Sequence, residues 1–330
     1  MAILLSRRDV ARLLDMNEVI EIMAGAFADL AQGQAVLPLR TPIFVPEHAG
    51  VSLTMPALLK GSGALGLKVV SVYAQNPTRY QLPTVLATIL LQDQATGAVV
   101  AVMDGGYLTA VRTGAVAGLA ARLLARKDAK VHTIIGTGGM ARAQIWAVAC
   151  ARNIEKLVLY SVDPMDKRKA FLESLKDLVT CPMVLAEDPA QAVGEADVIT
   201  LMTSSTTPVL EGRWVKPGTH INGIGAHTAK IRELDTQTVQ RASKVVCDLV
   251  DACKSEAGDL IIPADQGDWS WDRACSLGDL VTGKVPGRQG EAEITVFKSV
   301  GLAIQDISTA AYVYRKAVEK KAGTEFNFLD

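Results

Sequence analysis

The stretch HTIIGTGGMARAQ, His132 to Gln144, decides the fold of this 330-residue chain, because in it an apolar run ends in a glycine-rich turn. The turn has the pattern G-x-G-x-x-A, formed by Gly136, Thr137, Gly138, Gly139, Met140 and Ala141. Glycine lets the backbone turn sharply and approach an anion closely, while N–H groups at the start of the following helix face that anion. The pattern alone is weak evidence. Its position between a strand and a helix, with a second strand about 20 residues further on, predicts dinucleotide binding.

The segments around this turn define two kinds of sheet. Strand-like and helix-like segments alternate from Lys130 to Val250, which predicts an α/β fold with a Rossmann domain, a doubly wound parallel sheet. Short runs rich in β-branched residues fill Pro38 to Met103, with no helical stretch between them, which predicts an antiparallel sheet. The alanine-rich segment from Leu108 to Ala125 is expected to be a helix that connects the two domains.

Helices are also predicted at both ends of the chain. Ser6 is expected to cap a helix that runs to Leu14, and the apolar spacing predicts another helix over Met16 to Leu30. The segment TVFKSVGLAIQDISTAAYVYRKAVEKK, Thr295 to Lys321, is expected to form one long helix with a glycine near its start. We therefore predict an α+β domain over residues 1–115 plus 303–330 and a Rossmann domain over residues 116–302.

The composition limits the classes of partner. Lys and Arg total 34 and Asp and Glu total 35, so a formal net charge of −1 gives no attraction to nucleic acid or to an anionic membrane. The first apolar run is too short for a signal peptide or a spanning helix, so we expect a cytoplasmic protein with a small-molecule partner. No metal site is visible. The cysteines are odd in number and never spaced as CxxC, which indicates reduced thiols: Cys150, Cys181, Cys247, Cys253 and Cys275.

The second strand of the alternating region should end at the residues that select the cofactor. An acidic residue there favours NAD, whereas a small residue with a nearby cation accommodates the 2′-phosphate of NADP. The strand KLVLYS ends in Ser161, followed by Asp163 and then by Lys167 and Arg168. Asp163 could turn toward the ribose, or Ser161 and Arg168 could hold a phosphate. A solvated loop with a charged helix start is an equally good interpretation of the two cations, so the choice stays open.

Three cations are candidates for binding an anionic substrate. Arg40 opens a strand, and Lys68 and Arg112 lie inside apolar segments, where a charge is costly to bury unless it is paired. Each could simply be ion-paired or reach solvent with its charged end. Together they predict a pocket for a small carboxylate, since arginine binds both carboxylate oxygens and a desolvated lysine exchanges protons more readily.

These residues in this order resemble the ornithine cyclodeaminase and mu-crystallin family, which includes archaeal alanine dehydrogenases and ketimine reductases. The resemblance covers nearly the whole chain. Its segments are LPLR at Arg40, LTMPALL, LGLKVVS at Lys68, LPTVLATILL at Thr84, LTAVRTGAVAGLAARLLA at Arg112, IIGTGGMA and ITVFKSVGLAIQD.

The resemblance implies a homodimer whose subunits combine a Rossmann domain with a domain for substrate binding and dimerisation, to which the C-terminal helix returns. By position, Arg40, Lys68 and Arg112 match residues that bind the substrate carboxylate and handle protons. The positions that match cofactor contacts, for NAD or NADP, are Thr84, Thr113, Gly139, Met140, Ser161, Thr203, Ile224, Gly225, Ala226, His227 and Ser299.

Two departures from the family pattern concern the reaction. The cyclodeaminases carry carboxylates where this chain has Leu53 and His227, so the resemblance favours the reductase and dehydrogenase branch. The expected enzyme is an NAD(P)-dependent oxidoreductase acting on CH–NH2 or C=N groups. It would reduce an α-imino acid, such as pyrroline-2-carboxylate, to an L-amino acid, or catalyse the reverse reaction.

Alternatives remain open from the sequence alone. They are ornithine cyclodeamination, opine-type condensation of an amine with an oxo acid, and a non-catalytic binding protein like some mu-crystallins. The retention of all three cations argues against a role in binding alone. An unperturbed histidine has a pKa of about 6.5, so His227 could shuttle a proton near neutral pH, or it could only line the pocket or bond a backbone carbonyl. Asp306 could orient Lys68 or cap its helix.

Overall fold

A computed structural model describes residues 1–328. The described chain forms two compact units, the first comprising Met1–Arg112 and residues 302–328 and the second comprising Thr113–Gly301. The division falls inside one long helix, which the sequence predicts as the connecting element. Among the described residues, no helix has the length and apolar character needed to cross a membrane.

The first unit contains one mixed eight-stranded sheet. Its strands are β1 (Ala2–Leu5), β2 (Ala35–Val36), β3 (Thr41–Val45), β4 (Gly50–Leu59), β5 (Ala64–Tyr73), β6 (Val85–Gln92), β7 (Val99–Asp104) and β16 (Thr324–Phe326). They are ordered β16-β1-β7-β6-β5-β4-β2, with β3 paired to β4. The helices of this unit are α1 (Arg7–Leu13), α2 (Met16–Ala31), α3 (Asn76–Arg79) and α12 (Ala303–Lys320), and α4 (Gly105–Leu124) begins here.

The local chemistry explains the first helices. Ser6 and Asp9 form a capping box, in which the Ser6 hydroxyl accepts from the Asp9 N–H and the Asp9 carboxylate accepts from the Ser6 N–H. Helix α2 buries an apolar face that includes Val19, Met23 and Phe27. Both helices were predicted from the sequence, and the structure confirms them.

The antiparallel pairing predicted for Pro38 to Met103 is confirmed, because β3 to β7 pair antiparallel throughout. Strand β1, which lies outside that range, pairs parallel to β7 and makes the whole sheet mixed. One detail of the prediction was wrong: the strands are not free of helices, because α3 lies between β5 and β6. With only four residues, this helix is shorter than two turns and leaves no periodicity to detect.

The second unit is a doubly wound parallel sheet with helices between its strands. The strands are β8 (Val131–Ile135), β9 (Lys156–Tyr160), β10 (Met183–Leu185), β11 (Val198–Leu201), β12 (His220–Gly223), β13 (Lys244–Cys247), β14 (Ala274–Ser276) and β15 (Thr295–Lys298). Their order is β10-β9-β8-β11-β12-β15-β13-β14, and every pairing is parallel. The helices are α5 (Ala141–Ala151), α6 (Met165–Glu173), α7 (Pro189–Gly194), α8 (Thr236–Arg241), α9 (Val250–Glu256), α10 (Gly258–Asp265) and α11 (Leu277–Val281). The predicted α/β Rossmann class is confirmed.

The prediction of one helix from Thr295 to Lys321 was wrong. Residues Thr295–Lys298 form β15, which pairs with β12 and β13 and is buried on both faces. Gly301 follows with a positive φ of 83°, a conformation that a helix does not contain. Helix α12 begins only at Ala303. A four-residue apolar strand directly before a helix has no periodicity of its own, so the sequence pattern does not separate the strand from the helix.

Candidate active site

In the first unit, Lys68 and Arg112 converge on one carboxylate. The Lys68 Nζ atom lies 2.7 Å from Oδ2 of Asp306, and Arg112 Nε donates to Oδ1 of Asp306 at 2.9 Å. Arg112 Nη1 also donates to Oε1 of Gln305, the residue before Asp306 on α12. All four side chains are buried. Asp306 therefore orients both cations, which answers the question that the sequence left open.

The environment of Lys68 makes it a stronger acid than an ordinary lysine. Burial disfavours its charged form, the Asp306 carboxylate opposes that effect, and the charges of Arg112 and Arg40 add to it. The pKa of Lys68 is lowered from 10.5 to about 8. Arg40 is half-buried directly before β3 and acts on Lys68 through its charge.

This cluster has the composition of a carboxylate site. Its two buried cations, with Arg40 beside them, outnumber the single negative charge of Asp306. A small anion would balance that excess, and arginine offers it a planar pair of donors.

For two further predicted cofactor residues, the structure gives the burial and the place in the fold. Thr84 is half-buried before β6, and Thr113 is buried on α4.

In the second unit, the glycine turn fits a pyrophosphate. Gly136 has a φ of 107°, and a Cβ atom placed there would lie 2.4 Å from the carbonyl oxygen of Met202. A Cβ on Gly139 would meet nothing within 4 Å, so the loop has open space on that side. The Ala141 N–H, the first of helix α5, donates to the Gly138 carbonyl oxygen at 2.9 Å. No side chain caps this helix, and the N-terminus of a helix favours an anion. The arrangement has the features that a dinucleotide phosphate requires.

At the end of β9, Asp163 is tied to the glycine turn. Its Oδ2 atom accepts from the Ser161 hydroxyl at 2.6 Å and from the Thr137 hydroxyl. These two hydrogen bonds, in that order, are the main causes that lower the pKa of Asp163. Arg168 Nη1 donates at 3.5 Å to the carbonyl of Ala186, which follows β10.

The loops after β11 and β12 share one buried carboxylate that the sequence analysis missed. Glu233 Oε1 accepts from the N–H and the hydroxyl of Thr203, and Oε2 accepts from the N–H groups of Gly225 and Ala226. Ile224 is buried beside them. Three of the predicted cofactor positions are thus held by a residue that no motif singled out.

The other predicted residues of this unit lie at the same edge of the sheet. The exposed side chain of His227 follows Ala226, and its Nδ1 atom lies 2.9 Å from the Gly225 carbonyl oxygen. Nδ1 therefore carries a hydrogen, and in the neutral ring Nε2 is an acceptor. Ser299 donates its hydroxyl hydrogen to Oδ2 of Asp248 at 2.7 Å.

A second buried ion pair lies at this edge of the parallel sheet. Lys298, the last residue of β15, lies 2.6 Å from Oδ2 of Asp259, and both side chains are fully buried. Lys298 also donates to the Ala226 carbonyl. Burial lowers the pKa of Lys298, but the charges of Asp259 and Glu233 more than offset this and raise it overall. The sequence could have indicated this buried lysine, since Lys298 lies in an apolar run just as Lys68 does.

His132, His220 and Leu53 have structural environments. His132 and His220 are buried and bonded to side chains of neighbouring strands, and burial lowers the pKa of each to about 3. Leu53 lies on β4 opposite Val70 of β5. Within residues 1–328, no group of three or more His, Cys, Asp or Glu side chains is placed to hold a metal ion.

Comparisons with known proteins agree with this description. The sequence profile of the ornithine cyclodeaminase/mu-crystallin family matches residues 1–321. A Δ1-pyrroline-2-carboxylate reductase of Bacillus cereus is 37% identical over 327 residues, which are 99% of this chain and 100% of that protein.

Two solved structures are similar over their full length. Thermococcus litoralis Δ1-pyrroline-2-carboxylate reductase in complex with NADH and L-proline has a TM-score of 0.94 at 44% identity, covering 98% of this chain and 100% of that one. An archaeal alanine dehydrogenase dimer with bound NAD has a TM-score of 0.91 at 34% identity, covering 99% of each chain. This chain belongs to the ornithine cyclodeaminase/mu-crystallin family.

Proposed function

We propose that this protein is an oxidoreductase that reduces a cyclic α-imino acid of the Δ1-pyrroline-2-carboxylate class to the L-amino acid, with NADH as the cofactor. The observation that carries the proposal is the buried cluster of Lys68 and Arg112 on Asp306, which combines an anion site with an acid of suitable pKa. Relatives named for this reaction, and for alanine dehydrogenase, support the same class of chemistry.

Arg112 and Arg40 bind the substrate carboxylate. Asp306 and Gln305 fix the guanidinium of Arg112 through Nε and Nη1, so its rotamer is set before the ligand arrives. A fixed guanidinium loses little side-chain entropy when the ligand binds, which contributes to affinity and alignment.

Lys68 supplies the proton of the reaction. The bound dinucleotide provides the hydride, so the overall change is imino acid plus NADH plus H⁺ to amino acid plus NAD⁺. The Lys68 ammonium gives its proton to the substrate nitrogen, and the neutral amine then recovers a proton from solvent. A pKa of about 8 keeps the ammonium populated at neutral pH while making its proton easier to release.

NAD is the favoured cofactor because of Asp163. A carboxylate at the end of the second Rossmann strand accepts a hydrogen bond from a ribose 2′-hydroxyl and repels a 2′-phosphate. The bonds from Ser161 and Thr137 keep this carboxylate ionised and in place. Arg168, the cation that would serve a phosphate, directs one N–H toward the Ala186 carbonyl at 3.5 Å.

A homodimer is proposed from the sheet of the first unit. Register places Ile43, Ser52, Ser71 and Leu86 side by side across β3, β4, β5 and β6, and Val69 shares their face. Ile43, Val69 and Leu86 are exposed at 62%, 40% and 39%. Helix α12 packs against β4, β5 and β6 on the opposite face of the sheet, where Met55, Val70 and Ile89 are buried. An apolar face of this kind favours association with a second copy. The archaeal alanine dehydrogenase relative is a dimer.

The reaction is tested with the purified protein by following NADH oxidation at 340 nm. Pyrroline-2-carboxylate, piperideine-2-carboxylate and pyruvate with ammonia or methylamine are the substrates, and ornithine is assayed separately for conversion to proline. Cyclic imino acids should drive NADH oxidation, and ornithine should give no proline. Proline formed from ornithine without net cofactor change would overturn the proposal and favour cyclodeamination despite Leu53 and His227.

A further inference from the structure

The dinucleotide unit contains a buried carboxylate, that of Glu233, which accepts four hydrogen bonds and which the proposed reaction does not use directly. Its Oε1 atom accepts from the N–H of Thr203 at 2.7 Å and from the Thr203 hydroxyl at 2.8 Å. Its Oε2 atom accepts from the N–H of Gly225 at 2.7 Å and of Ala226 at 3.0 Å. One side chain therefore joins the loop after β11 to the loop after β12.

All four groups that contact the Glu233 side chain donate a hydrogen, so the side chain at this position must offer acceptors to all of them. A carboxylate supplies two acceptor oxygens, whereas an amide of the same shape supplies one and turns an NH2 group toward two donors. The site is fully buried, where a mismatch of this kind costs more than it does in water.

The backbone around Glu233 is fixed as well. Its own N–H and that of Leu234 donate to Oδ1 of Asp259 at 2.6 and 2.8 Å. The other oxygen of Asp259 pairs with Lys298, which donates to the Ala226 carbonyl. Burial raises the pKa of Glu233, and the charge of Lys298 opposes that increase. The loop of Gly225 and Ala226 is thus held through its N–H groups by Glu233 and through a carbonyl by Lys298.

The position of these loops in the sheet indicates which part of the cofactor they serve. Strands β9 and β10 lie on one side of β8, and β11 and β12 lie on the other side. In a doubly wound sheet each half binds one mononucleotide, and the half that contains the ribose-reading acid binds the adenosine part. The Asp163 side takes the adenosine, so the loops after β11 and β12 face the nicotinamide mononucleotide.

We propose that Glu233 is a positioning residue for the nicotinamide half of the cofactor, because it fixes the loops of Thr203 and of Gly225 and Ala226 in one arrangement. The inference rests on the proposed function in requiring that the protein binds NADH with the adenosine ribose at Asp163. Glu233 acts through these loops and does not itself touch the cofactor.

Comparing two ligands in the Glu233→Gln variant tests the inference. ADP-ribose contains the adenosine and pyrophosphate but lacks the nicotinamide, so it should not depend on the loops after β11 and β12. We expect the Kd for NADH to rise about 10- to 100-fold, which corresponds to the free energy of one lost hydrogen bond to a charged group. The Kd for ADP-ribose should stay within about twofold, since its site is unaltered. Isothermal titration gives both values, and Glu211→Gln, an exposed carboxylate of the same unit, is the matched control.

The outcomes separate the two proposals. Equal loss of NADH and ADP-ribose binding, or no loss of either, would overturn the role of Glu233. Failure of the unaltered protein to bind NADH would instead overturn the proposed function. If Glu233→Gln does not fold, Thr203→Val removes only the hydroxyl bond to Oε1. That variant should weaken NADH binding several-fold with ADP-ribose unchanged, and equal Kd values for both ligands in variant and parent would contradict the inference.

Discussion

The Lys68 ammonium and the Asp306 carboxylate form a buried ion pair, with Nζ and Oδ2 2.7 Å apart. Breaking a pair of this kind leaves one charge buried and uncompensated, which is costly. Asp306 raises the pKa of Lys68 against the larger effect of burial. The proton on Lys68 at neutral pH therefore depends on a residue of the C-terminal helix that is distant in sequence.

Replacing Asp306 by Asn should shift the pH profile of imine reduction. Reduction requires protonated Lys68, so in the unaltered protein kcat should be full below about pH 8 and fall as the pH rises through that value. Without the carboxylate the pKa of Lys68 becomes lower, and the descending limb should move to lower pH. Asp128→Asn, at an exposed position, is the control. An unchanged limb in Asp306→Asn would mean that Lys68 does not supply the proton.

Replacing Arg112 by Lys should raise the KM for the imino acid more than it changes the Kd for NADH. Lysine keeps the charge but cannot bond Asp306, Gln305 and a carboxylate through one planar group. Losing one hydrogen bond to a charged group corresponds to an increase of about 10- to 100-fold in KM. Arg79→Lys, at an exposed position on α3, should leave KM unchanged. Steady-state kinetics with both substrates varied gives the values, and an unaltered KM in Arg112→Lys would remove Arg112 from the carboxylate site.

Replacing Asp163 by Ser should reduce the preference for NADH over NADPH. The substitution removes the charge that repels a 2′-phosphate and replaces a charged acceptor for the ribose hydroxyl by a shorter neutral one, so the ratio of kcat/KM values should fall by about 10- to 100-fold. Asp166→Ser changes the same charge in the exposed first turn of α6 and should have little effect. A preference for NADPH in the unaltered protein, or an unchanged ratio in Asp163→Ser, would contradict the assignment.

Replacing Ile43 by Glu should convert a dimer to a monomer. A charge in the exposed apolar face of β3 to β6 would be buried without a partner on association, which is costly. Val318→Glu, at an exposed position on α12, should leave the dimer intact. Sedimentation equilibrium measures the mass of each variant. A monomeric parent protein, or a dimeric Ile43→Glu variant, would show that this face is not the interface.

The sequence predicted the elements whose chemistry is local. The glycine turn at Gly136 and the helix cap at Ser6 depend on neighbouring residues, so the sequence alone can predict them. Lys68 and Arg112 were identified by a general argument about buried charge. That argument could not name Asp306 as their common partner, because Asp306 lies 194 residues from Arg112.

The residues that sequence analysis missed have their partners in distant segments. Glu233 binds N–H groups of two loops, and a carboxylate that accepts from backbone leaves no side-chain motif to detect. Lys298 was overlooked because its segment was assigned to a helix, where a lysine every few turns is ordinary. Recognition of β15 would have placed Lys298 inside a strand that is buried on both faces, the same situation that identified Lys68.

Replacing Gly136 by Ala should abolish tight NADH binding. The φ of 107° strains any L-residue, and the added Cβ would lie 2.4 Å from the Met202 carbonyl oxygen, so the turn must move. The N-terminus of α5 would then lose its alignment with the pyrophosphate, and the Kd for NADH should rise at least about 100-fold if two charged hydrogen bonds are lost. Gly25→Ala, inside α2 with nothing within 4 Å of the new Cβ, is the matched control and should raise the free energy of unfolding by about 0.5–1 kcal/mol. Both variants are compared by NADH titration and urea unfolding. NADH affinity of Gly136→Ala equal to that of the parent protein would show that this turn does not hold the phosphates.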